Sequence, residues 1–75
     1  MIDKTQLITV VNKFGGTIGY NVPDLGIHRD FWPNEKKEVT FDELEKLSFQ
    51  PGGKIMLNEY LEIKDEEAAR LLLGK

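Results

Sequence analysis

The sequence predicts an α+β fold, a small antiparallel sheet built from two β-hairpins and covered by two or three short helices. Three observations carry that prediction. Residues 6–40 contain short β-branched or alternating runs separated by Pro, Gly and Asn. After Thr40 the apolar spacing changes from two to nearer 3.6 residues. The second half carries two helix-start signals, at Thr40 and Asp65.

Residues 6–12 are rich in β-branched side chains and read as a strand. Gly15-Gly16 follows, and adjacent glycines suit a tight hairpin. Over 17–22, Ile18, Tyr20 and Val22 share one face. The reading is a first hairpin between these two runs. Pro23-Asp24-Leu25-Gly26 breaks the pattern. Residues 27–32 are extended again, with Ile27, Arg29 and Phe31 opposite His28, Asp30 and Trp32. Pro33-Asn34-Glu35 is a turn, and 36–40 complete a second hairpin. The expected packing is a small sheet or a partly open barrel.

Thr40 and Glu43 have the spacing of a capping box, with Val39 and Leu44 as its hydrophobic staple. Phe41, Leu44 and Leu47 then line one face of a helix over 41–48. Pro51-Gly52-Gly53 ends it. A helical turn is expected at 53–59, because Met56-Leu57-Asn58-Glu59 lacks β-branching, and a short strand at 61–63. Asp65 caps a last helix at 66–73, acidic in its first turn, with Arg70 in its second half and Gly74 after it.

The chain has 75 residues, 40% hydrophobic and 31% charged, which suits one folded domain over 1–75. Cysteine is absent and there is one histidine, so a Cys-based zinc site and a multi-His site are both excluded. The longest apolar run is Leu71-Leu72-Leu73, far short of the ~20 residues of a membrane span. No basic start with an apolar stretch suggests a signal peptide, so a cytoplasmic location is expected. The net charge is −3, with five basic and four acidic groups in 1–37 and five basic and nine acidic groups in 38–75. That balance argues against non-specific nucleic-acid binding as the main task.

The candidate chemistry is sparse. His28-Arg29-Asp30 has the letters of a kinase catalytic loop without the rest of that machinery. Gly53-Lys54-Ile55 lacks the hydroxyl of a phosphate loop. Asp42, Glu43 and Glu45, and later Asp65, Glu66 and Glu67, lie in first turns of helices, where carboxylates cap and complement the dipole. Ser48 has only His28 as a histidine base. The reading is a non-enzyme with no catalytic, metal or cofactor residues.

Two places offer contact surfaces. Trp32 lies near His28, Arg29, Lys36 and Lys37. The favoured reading is a core aromatic rimmed by snorkelling cations. The alternatives are a protein contact and, with Lys13, a nucleic-acid face. At the other end, Leu71, Leu72 and Leu73 cover more than half of a helix circumference. One small core buries a stripe, so at least one leucine is exposed or meets something outside the chain.

Val22-Pro23-Asp24-Leu25, Arg29, Phe31, Pro33, Glu35, Lys37, Glu43-Leu44, Leu47-Ser48, Pro51-Gly52-Gly53 and Tyr60-Leu61-Glu62-Ile63 together resemble the N-terminal part of small proteins encoded in tailed-phage and prophage genomes. The resemblance covers residues 7–67. It implies that more sequence follows this region and that the setting is a virion or the host cytoplasm. It carries no catalytic residues. The expected function is protein–protein interaction, with a phage or host protein or by self-association, and nucleic-acid binding is the alternative.

Overall fold

A computed structural model describes residues 2–74. Its elements, in order, are β1 (Leu7–Asn12), β2 (Ile18–Val22), a 3-10 turn (Pro23–Leu25), β3 (Ile27–Phe31), β4 (Lys36–Thr40) and α1 (Phe41–Ser48). Then come α2 (Gly53–Ile55), a π-helical turn (Met56–Tyr60), β5 (Leu61–Ile63) and α3 (Glu66–Leu73). The α+β class stands, and each expected element lies within a residue or two of its place.

Strand pairing differs from the expected hairpins. β1 is the centre of a three-stranded antiparallel sheet in the order β4-β1-β5, and β2 pairs only with β3 in a second sheet. The two sheets do not close into a barrel. Ile8 faces Val39 across β1 and β4, and Asn12 faces Leu61 across β1 and β5. Both edges of β1 are thus occupied, which leaves none for β2. The Pro23–Gly26 break is instead the loop of the β2–β3 hairpin, with Val22 opposite Ile27. Pro23 starts a single 3-10 turn there, and Gly26 closes it at φ 64°. The Trp32–Glu35 turn exists, with Glu35 N–H on the Trp32 carbonyl at 3.0 Å and Asn34 at φ 66°. Beyond it β3 and β4 diverge into different sheets.

Asn12 explains why Gly15-Gly16 does not close a tight hairpin. Its side chain is fully buried. Its Nδ2 donates to the carbonyls of Gly16 (2.8 Å), Phe31 (3.1 Å) and Trp32 (3.1 Å), and its Oδ1 accepts from Phe14 N–H (2.8 Å). The buried amide therefore finds backbone partners for both its nitrogen and its oxygen. It fastens the 13–17 loop to the end of β3 rather than to a β1–β2 ladder.

The core lies between the sheets and the helices. β1 contributes Ile8 and Val10, β2 contributes Ile18, Tyr20 and Val22, and α1 contributes Phe41, Leu44 and Leu47. Phe31, Val39, Leu57, Leu61, Ala68 and Leu72 complete it. Both long helices start as expected. Thr40 Oγ1 accepts Glu43 N–H at 3.2 Å, and Asp65 Oδ1 accepts Ala68 N–H at 3.0 Å. Gly53 has a packing role. A Cβ there would lie 1.9 Å from the Leu47 carbonyl oxygen, so only glycine lets α2 approach α1 this closely.

Candidate functional site

The second half of the expected capping box is absent. The Glu43 carboxylate turns away from Thr40 into the interior, where it is buried. It accepts from the Tyr20 hydroxyl at 2.5 Å and from Arg29 Nε (3.1 and 3.3 Å) and Nη2 (3.1 Å). Tyr20 and Arg29 are register partners on β2 and β3, so the hairpin offers both donors to one face of α1. An Arg fork and a phenol satisfy a buried carboxylate that would otherwise be very costly. Burial and the adjacent Glu43 raise the Tyr20 phenol well above its usual range. The Glu43 hydrogen bond likewise raises Arg29. This network locks the second sheet to the helix.

Its formation divides the cationic patch expected around Trp32. Arg29 points inward, to Glu43. Lys37 is paired with Glu35 at 3.2 Å, and its ammonium lies 5.8 Å from the Phe31 ring centre. Glu35 is also held by Trp32 N–H at 2.8 Å, and these contacts lower its pKa. Lys36 is exposed on the outer face of the three-stranded sheet, opposite Val11. The four residues therefore do not form one surface.

Trp32 is not a core residue. Phe31 takes the buried position and Trp32 is 68% exposed. Alternation along β3 made the two neighbours face opposite ways, and the Asn12 amide bonds fix Phe31 as the inward one. Two further aromatics lie at this end of the molecule. Phe14 is 47% exposed and Tyr60 is 40% exposed, with ring centres 5.0 Å apart. Lys13 N–H donates to the Tyr60 carbonyl, and Asn34 N–H to the Asn12 carbonyl, both at 3.0 Å. Three separate segments are thus fastened to the C-terminal end of β1, each with an exposed aromatic ring. Sequence reading missed Phe14 and Tyr60, because only the pairing of distant segments brings them together.

The leucine run behaves as its helical spacing requires. Leu72 is buried, Leu73 is partly buried and Leu71 is 59% exposed. Phe49 and Leu71 line one groove with Lys54 between α1 and α3, and Ile55 and Leu73 line its neighbour. A further open groove of about 520 Å³ runs between Pro23 and Pro51, beside Phe49 and Gln50. Gln50 Nε2 spans its side, donating to the Asn21 carbonyl at 2.7 Å.

Several of the polar residues weighed for catalysis have structural partners. Ser48 donates to the Glu45 carbonyl at 2.6 Å. His28 is exposed, with Nδ1 2.5 Å from Asn21 Oδ1 and Nε2 3.0 Å from Asp30 Oδ2. Asp42 pairs with Lys46, and Glu45 pairs with Lys4. Among the described residues, no three His, Asp or Glu side chains are grouped to hold a metal ion, and no helix is long and apolar enough to cross a membrane. Comparison with protein-family models, curated proteins and solved structures finds no match to this chain.

Proposed function

We propose that the chain is a non-enzymatic interaction module that binds a protein partner through the end formed by Phe14, Trp32 and Tyr60. The observation that carries this reading is the exposure of these three rings, with Phe14 and Trp32 on segments pinned by the buried Asn12 and Tyr60 on a segment held by Lys13 N–H. Aromatic side chains, above all Trp and Tyr, dominate protein–protein hot spots, and a rigid backing lowers the entropy lost on binding. An exposed ring of the size of Trp32 gains little in water and much in a partner's pocket.

A protein partner fits better than a nucleic acid. A phosphate backbone needs clustered free cations, and Arg29 and Lys37 are engaged by Glu43 and Glu35. The setting we propose, a virion or the cytoplasm of a phage host, rests on the resemblance over residues 7–67 alone.

The test is affinity capture from phage-bearing cells with three baits. These are the wild-type chain, a Phe14→Ser/Trp32→Ser/Tyr60→Ser variant and a Leu71→Ser variant. The expected result is a protein retained by the wild type and Leu71→Ser but lost with the triple variant. Equal recovery on all three baits, or capture only of nucleic acid that elutes steeply with salt, would sink the reading.

A further inference from the structure

The helical side of the molecule carries a second set of exposed apolar side chains, distinct from the three aromatic rings. Phe49, Ile55 and Leu71 are 71%, 55% and 59% exposed. Large apolar side chains grouped in this way mark an interaction surface. Ile55 stands at the rim of a groove whose other walls are Lys54, Asn58, Glu59 and Leu73. Lys54 also borders the adjoining groove, which holds Phe49 and Leu71.

The charges around Ile55 say what fits there. Lys54 and Glu59 flank it on the same groove and are both exposed. Among the described residues, neither has an ion-pair partner within the chain, unlike Lys4, Lys37, Lys46 and Lys64. A two-fold contact requires a patch that carries both halves of every interaction, so that residue i meets j and j meets i. This groove holds a projecting side chain, a hollow beside it and one unpaired charge of each sign. A strongly acidic or basic partner would satisfy only one of the two charges.

We propose that this groove is a self-association surface, with the two-fold axis passing close to Ile55. Each Ile55 enters the hollow beside Leu73 of the second copy. Lys54 of each chain meets Glu59 of the other, and Leu71 and Phe49 extend the apolar contact. The contact does not use Phe14, Trp32 or Tyr60, so a dimer would present two copies of the proposed partner site. Bivalence of that kind raises avidity without any new contact.

The test is sedimentation velocity on the full chain up to about 1 mM, a range that reveals weak association. The wild type is expected to dimerise reversibly. Ile55→Glu is expected to weaken dimerisation about tenfold or more, which corresponds to about 1.4 kcal/mol. Lys54→Glu and Glu59→Lys should each weaken it, and the Lys54→Glu/Glu59→Lys double variant should restore it. Trp32→Ser should leave it unchanged, which keeps this test independent of the partner site. All substituted positions are exposed, and circular dichroism checks that each variant is folded. A monomer at every concentration overturns the proposal. So does a dimer indifferent to Ile55→Glu, or a double swap that fails to recover what the single swaps lose.

Discussion

The Tyr20 hydroxyl and the Glu43 carboxylate meet at 2.5 Å across the boundary between the second sheet and α1. Arg29 closes the same contact from the neighbouring strand. Three polar groups from three elements thus form one unit around the buried Glu43, in a domain with little apolar core to spare.

Removing one member should expose how much that unit contributes. Glu43→Ala leaves the buried Tyr20 hydroxyl without its acceptor, while the part-exposed Arg29 can turn to water, and is expected to cost about 1–3 kcal/mol. Tyr20→Phe removes one donor and should cost about 1–3 kcal/mol. Urea denaturation of each variant reads both. In a double-mutant cycle the double variant should lose less than the sum of the two single losses, since both remove the same contact.

Alkaline pH should weaken the fold through Tyr20. Its folded pKa lies above the ordinary phenol value, raised by burial and then by Glu43. A group with a raised folded pKa contributes stability that is fully present below the unfolded pKa and lost as pH rises beyond it. Stability from this group is therefore constant below about pH 10 and declines above it. Thermal melts of the wild type and Tyr20→Phe across this range check the sign. The wild type should lose more stability than the variant above about pH 10, and a parallel decline would remove Tyr20 from the explanation.

Helix α1 depends on Thr40. Its hydroxyl accepts Glu43 N–H, so Thr40→Ala should cost about 0.5–2 kcal/mol and Thr40→Ser much less. Chemical denaturation decides it, and no loss in Thr40→Ala would show that the cap is dispensable.

Gly53 and Gly15 make a matched pair. A Cβ at Gly53 meets the Leu47 carbonyl, whereas one at Gly15 meets nothing within 4 Å. Gly53→Ala should lose about 1–3 kcal/mol or more as α2 is pushed from α1. Gly15→Ala should stay within about 0.5 kcal/mol of the wild type, as surface substitutions usually do. Melting temperatures of the two variants compare them directly.

What was legible in the sequence was local. Thr40, Asp65, Pro23 and the alternation from Ile18 to Val22 act within a few residues, and the elements they define are present. Strand pairing was not legible, because it depends on which edges remain free once β4 and β5 flank β1. Gly15-Gly16 signals a hairpin by composition. The competing signal is Asn12, a polar residue that stays buried only because its amide reaches the Phe31 and Trp32 carbonyls. Glu43 was misread for a related reason. Its position matches a capping box, but Tyr20 and Arg29 lie 23 and 14 residues away and offer stronger donors. The candidate surface was half legible. Trp32 stood out as the single tryptophan, while Phe14 and Tyr60 join it only through the folded end of β1.

That single tryptophan also provides the most direct measurement. In the free protein its ring is 68% exposed, so its emission should be that of an indole in water. Adding the partner recovered by the wild-type bait should shift the Trp32 emission to the blue and shield it from iodide quenching. An emission spectrum and quenching constant unchanged at saturating partner would contradict the claim that this end of the molecule is the binding site.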